Sequence, residues 1–599
     1  MTPPQPSISS YGLIGDMRTA ALIGLHGGID WCCLPRFDSG SVFAALLDPV
    51  RGGTWVIQPQ GAFTSRQQYL PGTNILETTF RTESGEAVVT DFMPVTFDGH
   101  PVSAHPEIHR QVRGVTGEMP MVQRFMPRFE YASRATRLEV LRSGLFATDR
   151  TEQVITLSSA EPFPWSVEQG VASASFTLPA GRVRWLVLRY DDDDLHPADR
   201  YESAGKLETT AAYWRLWSSK IRYGGAFRAE VERSALLLKL LTHAETGAII
   251  AAPTTSLPEV IGGSRNWDYR FVWLRDAVFT LSALQSVGHV EEAADFMRFL
   301  RRVCRHETGG HLQIMYAVDG KRDLVERQLD HLSGYRGSRP VRVGNGAADQ
   351  LQLDVYGEVL SAVDHWRQHH DLGEGAWRTL HPLVDWVSQH WHLPDSSIWE
   401  VRGQTRHYVY SKVMNWVALD RGVRIARDLS LPADLERWEA ARDAVHAEVL
   451  ARGWNPGKGA FVQAYDYPET LDASALAIGL VGFLPWDDPR MVSTVRAVQR
   501  ELTSPDGDLV FRYRTPDGLE GEEGAFSICT FWLAEALHRI GDLPEADRIF
   551  RSMLGHANHL GLYSEEIDPM TGEFLGNFPQ GFTHLALIHC AVALAEQSA

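Results

Sequence analysis

The chain has 599 residues, of which 44% are apolar, and a formal net charge of -18 at pH 7. A chain of this length predicts two or more domains with cores of their own. The acidic balance argues against nucleic acid as a partner, because that binding depends on lysine and arginine side chains that neutralise phosphates. A neutral substrate fits this charge better. The 18 tryptophans offer faces that can stack on sugars, although core packing accounts for most of them.

The N-terminal segment has no basic stretch followed by an apolar one, so it does not resemble a secretion signal. No segment has 18 uninterrupted apolar residues, and we therefore expect no membrane partner. The five cysteines are scattered and form no zinc-like CxxC pair, which is typical of buried free thiols in a reducing compartment. The sequence predicts a cytoplasmic protein and leaves its oligomeric state open, a homo-oligomer included.

Residues 1–200 are predicted to form an N-terminal β-sandwich domain. In the segments 73–95 and 174–190, β-branched and aromatic residues lie between glycine, proline and aspartate, a pattern typical of short strands. Residues 201–224 are predicted to be a helical linker. From residue 225 to residue 599, apolar residues recur at three- and four-residue steps, which indicates helices.

Twelve helices are predicted in the C-terminal part of the chain. Joined pairwise, they make six αα-hairpins, which can close into an (α/α)6 barrel with alternating inner and outer helices. A helical-repeat scaffold is the competing architecture, but the sequence has no fixed period of that kind. In a closed barrel the loops of one rim converge on one pocket, where functional residues are expected. The predicted helix centres are residues 237, 281, 298, 360, 384, 418, 442, 476, 495, 533, 551 and 589.

The stretch before the second predicted barrel helix is dense in aromatic and charged residues, and it ends with Trp273, Arg275 and Asp276. Such density indicates a binding surface, because Arg275 supplies hydrogen-bond donors and Asp276 supplies acceptors for sugar hydroxyls. In the alternative interpretation, Asp276 caps the helix and Arg275 pairs with it. These residues alone favour neither interpretation.

Glu400 follows Trp399 in a predicted loop, just before a glycine-containing turn. A carboxyl beside an indole is desolvated, which raises its pKa and suits a general acid. In the alternative interpretation, Glu400 is a surface residue paired with Arg402 or Arg406. For a glutamate considered without its neighbours, this alternative is the more common case.

The adjacent Glu565 and Glu566 lie in a predicted loop ahead of the last helix. Neighbouring side chains of an extended chain point to opposite sides, so at most one of the two carboxylates readily faces a given pocket. The other is expected to be structural. A further predicted loop carries Arg512 and Arg514, followed by acidic residues that equally suit the charge at a helix N-terminus.

Several segments together resemble glycoside hydrolase family 15, the family of glucoamylases, glucodextranases and bacterial α,α-trehalases. The N-terminal segment is GLIGDMRTAALIGLHGGIDWCCLPRFDSGSVFAALLD, which is similar to the opening of two-domain bacterial and archaeal members. The segments similar to the barrel motifs are RFVWLRDA, IWEVRG followed by SKVMNWVALDRG, and YSEEIDPMTGEFLGNFPQGFTHLALI. Their number and order extend the resemblance over nearly the whole chain.

This resemblance implies roles for the matched residues. Arg275 and Asp276 match the pair that holds the terminal glucose in subsite −1. Glu400 matches the general acid. Glu565 matches the general base, which in fungal glucoamylases is followed by glutamine. Glu566 departs from that fungal pattern and is expected beside the base, among the substrate-binding residues.

Three further residues complete the expected substrate-binding set. Counting back fifteen residues from Cys529 places Arg514 where glucoamylases carry an arginine that helps to hold the substrate. Trp273 and Trp399 are expected to form pocket walls, because they lie next to the matched motifs.

The implied activity is exo-acting hydrolysis of a small-molecule α-glucoside with inversion, in which an α-linkage releases β-glucose. We expect α,α-trehalose as the substrate. The alternative is a glucoamylase-like α-glucosidase that acts on short malto- or isomalto-oligosaccharides, and the remote alternative is a non-catalytic sugar-binding protein. No HExxH pattern is present, and neither a metal nor an organic cofactor is expected.

Overall fold

The computed structural model of the protein describes residues 5–151, 153–305, 310–368, 370–515, 521 and 523–596. A β-rich N-terminal domain precedes a helical domain, as the sequence predicts. No helix within these ranges is both long and apolar enough to cross a membrane.

The N-terminal domain contains two antiparallel sheets that share one long strand. Its strands are β1 Tyr11–Gly15, β2 Ala20–Gly24, β3 Gly28–Cys33, β4 Ser41–Phe43, β5 Thr54–Pro59, β6 Thr64–Tyr69, β7 Leu76–Thr82, β8 Gly85–Phe92, β9 Glu107–Met126, β10 Arg137–Leu141, β11 Gly144–Thr148, β12 Val154–Ser159, β13 Ser166–Glu168, β14 Val171–Pro179 and β15 Val183–Tyr190. The first half of β9 pairs with β8 and β15, and its second half pairs with β5 and β14. In β5 buried residues alternate with half-buried ones, as expected for a strand with one face on the core. A single helical turn, α1 Phe129–Ala132, follows β9.

One long helix, α2 Ser203–Ser219, connects the two domains. It buries the aromatic residues Tyr213, Trp214 and Trp217. The indole Nε1 of Trp217 donates a hydrogen bond to the Glu292 carboxylate at 2.7 Å, across to the helical domain. The connecting segment is therefore packed against the barrel.

The helical domain is a closed barrel with alternating inner and outer helices. Its helices are α3 Arg228–Leu240, α4 Leu274–Ser286, α5 Glu291–Cys304, α6 Val355–Trp366, α7 Gly373–His390, α8 Val409–Asp428, α9 Leu435–Glu448, α10 Ala477–Leu480, α11 Pro489–Leu502, α12 Ser527–Arg539, α13 Leu543–Gly555 and α14 Gly581–Glu596. The inner ring consists of α4, α6, α8, α10, α12 and α14, and each of these packs on the next until α14 contacts α4. The predicted (α/α)6 architecture is therefore confirmed.

Burial separates the inner helices from the outer ones. The inner helix α12 buries every residue from Ser527 to His538. The outer helix α13 buries a single stripe at i, i+3, i+4 and i+7, as expected for a helix with one face on the core. The inner helix α10 is only four residues long, because a 3₁₀ helix, Ala473–Leu476, directly precedes it and Gly482, with φ of 75°, follows its end.

Short strands lie at the rim where several inner helices begin. Before α4 these are β16 Thr255–Pro258, β17 Asn266–Asp268 and β18 Val272–Trp273. Further along the chain, in the same order, the rim strands include β19 Met315–Tyr316, β20 Arg327–Gln328, β21 Arg342–Val343, β22 Trp454–Asn455, β23 Ala460–Phe461, β24 Ala525–Phe526, β25 Glu566–Ile567 and β26 Phe574–Leu575. The strand β25 pairs with both β24 and β26, which brings the loops before α12 and α14 together.

Candidate active site

One pocket opens at this rim and encloses about 650 Å³ of empty space, its open mouth included. The segments before α4, α8, α12 and α14 all contribute to its walls. The lining residues are Ala251, Glu259, Trp267, Tyr269, Trp273, Arg275, Asp276, Ile398, Trp399, Glu400, Val401, Arg402, Arg512, Phe526, Glu565, Gln580 and Phe582. Six of the eight residues expected in a site therefore line one cavity; Glu566 and Arg514 do not.

Arg275 and Asp276 lie in the first turn of α4 and face the pocket. The Arg275 Nε donates to Asp276 Oδ1 at 2.9 Å, and its Nη1 donates to the Ile398 carbonyl at 2.8 Å. The Asp276 side chain does not cap the helix, whose N-cap residue is Trp273. Burial raises the pKa of Asp276, and the neighbouring guanidinium opposes that shift. The Arg275–Asp276 pair of the alternative interpretation is thus present, but the pair forms part of the pocket wall.

Glu400 lies in a tight turn, and its backbone has a φ of 59°, in the left-handed region. A residue other than glycine is rare and strained in this backbone conformation. Such backbone strain occurs often at functional sites. Trp273 Nε1 donates to Glu400 Oε1 at 2.5 Å, and Arg275 Nη2 lies 3.9 Å from the same oxygen. Burial raises the pKa of Glu400 although Arg275 opposes the shift, so the protonated form is favoured.

The arginines of the alternative interpretation of Glu400 have other partners. Arg402 Nη2 donates to Asn345 Oδ1 at 3.2 Å and lies 3.6 Å from Glu326 Oε2. Arg406 pairs with Asp466. Glu400 therefore lies in the pocket, and its hydrogen-bond donor is the Trp273 indole.

Trp399, the neighbour of Glu400 in the sequence, forms part of the pocket wall. Its Nε1 donates to both oxygens of the Asp472 carboxylate, at 2.9 and 3.0 Å. Its ring packs against Phe526 and Trp532 at centroid distances of 5.4 and 6.2 Å. These contacts fix the position of the indole next to Glu400 in the sequence.

Glu565 lines the same pocket and is 1% exposed. The Tyr269 hydroxyl donates to Glu565 Oε1 at 2.6 Å, and the Asn577 backbone N–H donates to Oε2 at 3.3 Å. A Cβ atom at Gly576 would lie 2.3 Å from that second oxygen, so only glycine leaves room for the carboxylate. Burial raises the pKa of Glu565 to about 7, the range that suits a general base.

An aromatic pair connects the two carboxyl groups. Tyr269 and Trp273 meet edge to face with their ring centroids 5.3 Å apart. Tyr269 donates to Glu565, and Trp273 donates to Glu400. Each carboxyl group therefore has its own donor, and the donors lie in contact within one five-residue stretch.

Glu566 is absent from the pocket wall. It begins β25, where Glu566 lies opposite Phe526 of β24, and its Oε2 accepts a hydrogen bond from the Gly524 N–H at 3.0 Å. Its Oε1 is buried and has no hydrogen-bond partner among the described residues. Burial and the nearby Glu259 and Glu523 carboxylates raise its pKa well above the usual range. The opposite orientation of adjacent side chains is the reason that only Glu565 lines the pocket.

Of the two arginines in the loop before α12, Arg512 lines the pocket, two residues before the expected Arg514. Arg512 Nε and Nη2 each donate to the Glu523 carboxylate at 2.6 Å, and Nη2 lies 3.3 Å from Glu259 Oε2. Arg514 donates to the Thr503 carbonyl at 2.8 Å, outside the pocket. Counting along the chain misplaces the arginine, because the distance from α12 includes a loop whose length cannot be derived from a helical pattern.

Other lining residues were not among those expected. Tyr269 lies in the aromatic-rich stretch before α4, whose composition already indicated a binding surface. Glu259 and Gln580 gave no sequence signal, because they reach the pocket through contacts between distant segments.

The sequence matches the model of glycosyl hydrolases family 15 over residues 225–592 and a trehalase-like N-terminal model over residues 3–214. A trehalase of Thermoplasma volcanium is 39% identical over 597 residues, which cover 99% of this chain and 94% of that protein. A trehalase of Mycolicibacterium smegmatis is 41% identical over 628 aligned positions, covering 100% and 92%. The crystal structure of a bacterial glucoamylase complexed with acarbose shares the fold, with a TM-score of 0.74 at 14% identity and coverage of 99% and 94%. The chain belongs to glycosyl hydrolases family 15.

Proposed function

We propose that this chain hydrolyses α,α-trehalose to two molecules of glucose, as an exo-acting enzyme that inverts the configuration of the cleaved residue. The observation that carries the proposal is the position of Glu400 and Glu565 in one pocket, each with its own aromatic donor. The relatives named trehalase, which align over nearly the whole chain, support this choice of substrate.

Hydrolysis proceeds in a single displacement. Glu400 donates its proton to the glycosidic oxygen while Glu565 removes a proton from the attacking water. The water approaches the anomeric carbon from the face opposite the leaving sugar, so an α-linked residue leaves as β-glucose. Inversion requires carboxyl groups roughly 6.5 to 9.5 Å apart, because the water must fit between the base and the sugar.

The pocket walls supply polar groups for one terminal glucose. Arg275 and Asp276 offer charged donors and acceptors, and Arg512 adds a second guanidinium. Gln580 is 2% exposed, and its Oε1 has no hydrogen-bond partner in the described part of the chain. A sugar hydroxyl can donate a hydrogen bond to such an acceptor.

The two carboxyl groups must hold opposite protonation states when the substrate binds. Burial raises the pKa of Glu400, which favours the proton that the acid must donate. The pKa of Glu565 is about 7, so the fraction of ionised base increases as the pH rises through neutrality. These ionisations predict a bell-shaped pH dependence of kcat/KM.

The state of the cysteines supports a proposal for the cellular compartment in which the enzyme acts. All five are buried and none is in a disulfide. Free thiols are usual where the surroundings are reducing, and we infer that the enzyme acts in the cytoplasm.

Glucose release from a panel of α-glucosides tests the substrate. We expect kcat/KM for trehalose to exceed the values for maltose, isomaltose and maltotriose, because buried polar groups left unpaired by the wrong sugar weaken transition-state binding. A preference for maltotriose or isomaltose would leave the family unchanged and identify a glucoamylase-like enzyme. Release of no glucose from any of these sugars would identify a binding protein.

Proton NMR of the first product tests the stereochemistry. Cleavage of trehalose with inversion yields equal amounts of β- and α-glucose before mutarotation, because the second glucose leaves with its α configuration intact. An initial product that is entirely α-glucose would mean retention and would refute the mechanism.

A further inference from the structure

Arg270 lies between the two residues that hold the carboxyl groups, but its side chain points away from the pocket. It is 2% exposed. Its Nη1 donates to the Ser39 carbonyl at 2.6 Å and lies 3.4 Å from Cys33 Sγ. The guanidinium also lies 5.5 Å from the centre of the Tyr131 ring. All three contacts belong to the N-terminal domain.

The same guanidinium is fixed on its other edge by Asp268. Arg270 Nε and Nη2 donate to the two Asp268 oxygens at 2.8 and 2.6 Å. Asp268 Oδ2 also accepts the Gly344 N–H at 3.0 Å, and its carbonyl accepts from Asn345 Nδ2 at 3.3 Å. Asn345 in turn accepts a hydrogen bond from Arg402, two residues after Glu400. A continuous chain of contacts therefore runs from the N-terminal domain to the loop of the acid.

A second contact between the domains reaches the base. Trp31 Nε1, in β3, donates to the Pro253 carbonyl at 2.7 Å. The next residue, Thr254, donates through its hydroxyl to Asn577 Oδ1 at 2.9 Å. The Asn577 N–H is one of the donors to Glu565. Both ends of the stretch that precedes α4 are thus bonded to the N-terminal domain.

We infer that Arg270 is a positioning residue, through which the N-terminal domain sets the placement of the Tyr269 hydroxyl and the Trp273 indole against the two carboxyl groups. The planar guanidinium bonds two Asp268 oxygens and the Ser39 carbonyl at once, which a lysine ammonium cannot match. Small displacements of groups that orient an acid or a base cost large factors in rate. The inference rests on the proposed roles of Glu400 and Glu565.

The test compares Arg270→Lys with a matched contact between the domains that lies away from the pocket. Asn74 provides the control, because its buried Nδ2 donates to the Leu236 carbonyl of the outer helix α3 at 3.0 Å. For Arg270→Lys we expect kcat on trehalose to fall about tenfold or more, with KM changed less than about threefold. Asn74→Ala should lower the melting temperature and leave kcat unchanged.

The pH profile separates positioning from a general loss of stability. The Tyr269 hydrogen bond lowers the pKa of Glu565, so its weakening in Arg270→Lys should move the limb of kcat/KM that Glu565 controls to higher pH. Asn74→Ala should leave that limb in place. Neither variant alters the other charged groups around the base, which are Arg512, Glu523, Glu259 and Glu566.

A milder variant covers the case in which Arg270→Lys does not fold. Tyr131→Phe removes only the hydroxyl that donates to the Ser39 carbonyl at 3.3 Å. We expect kcat to fall about threefold with a smaller shift of the same limb. A folded Arg270→Lys with the kcat and pH profile of the wild type would overturn the inference, as would equal shifts in Asn74→Ala. If the wild type released glucose from no α-glucoside, the proposed function would fail instead.

Discussion

The surroundings of the proposed acid, Glu400, and of the proposed base, Glu565, differ. Glu400 lies in a turn with left-handed backbone, and its side chain is 17% exposed. Glu565 is 1% exposed, at the start of a small sheet, where Gly576 packs against its carboxylate. Arg275 is the main residue that offsets the burial of Glu400, followed by Trp273 and Arg402. The burial of Glu565 is offset by Tyr269, Arg512 and the Asn577 N–H.

This difference supports the two roles that we propose for the same side-chain type. The acid retains access to solvent, from which it can recover its proton after each turnover. The base is enclosed, and the Glu523 carboxylate near it holds its pKa up. A carboxylate with a raised pKa is a stronger base once it is ionised, and such paired environments commonly separate acid from base.

Replacing either carboxyl group should produce the largest effect. Glu400→Gln and Glu565→Gln should each lower kcat on trehalose by about 10²- to 10⁴-fold, because a positioned acid or base contributes that much. Circular dichroism should show both variants folded. The assignment of the two roles fails if Glu566→Gln abolishes hydrolysis while Glu565→Gln remains nearly as active as the wild type.

Activity should depend on Arg512, near Glu565, and should not depend on Arg514. Arg512→Lys keeps the charge but cannot keep both bonds to Glu523, so kcat/KM should fall about ten- to hundredfold. Arg514→Lys is the matched control and should remain within about twofold of the wild type, since Arg514 bonds a carbonyl outside the pocket. Equal losses in the two variants would argue against a role of Arg512 in binding the sugar.

Removing the two aromatic donors should move opposite limbs of the pH profile. Tyr269→Phe deletes a hydrogen bond that lowers the pKa of Glu565, so the limb of kcat/KM that Glu565 controls should move to higher pH. Trp273→Phe deletes the donor that lowers the pKa of Glu400, so the limb that Glu400 controls should also move to higher pH. Each variant should lose about tenfold in kcat. Movement of the same limb in both variants would mean that the donors are not divided between acid and base.

The sequence predicts the fold better than it predicts the walls of the pocket. Helical periodicity locates the twelve barrel helices, because each has a stripe or a full surface of apolar residues that depends only on local order. The motif residues Arg275, Asp276, Glu400 and Glu565 line one pocket. Glu259 enters the pocket beside Arg512 through a contact between segments 253 positions apart, and no local pattern encodes such a contact.

The smallest effect is expected at Glu566, whose neighbour is the base. Its carboxyl group is buried near the Glu259 and Glu523 carboxylates, which raises its pKa well above the usual range and favours the protonated form in the folded protein. The unfolded chain ionises this group above its ordinary pKa of about 4.3, which stabilises the unfolded state increasingly as the pH rises toward the folded pKa. Glu566→Gln resembles the protonated form and removes this titration.

The activity of Glu566→Gln should remain within about threefold of the wild type. The melting temperature of the variant relative to the wild type should increase from pH 4 to pH 8. A difference that shrinks over this range, or a loss of activity like that of Glu565→Gln, would place an ionised and catalytically engaged carboxylate at Glu566 and reverse the assignment of the base.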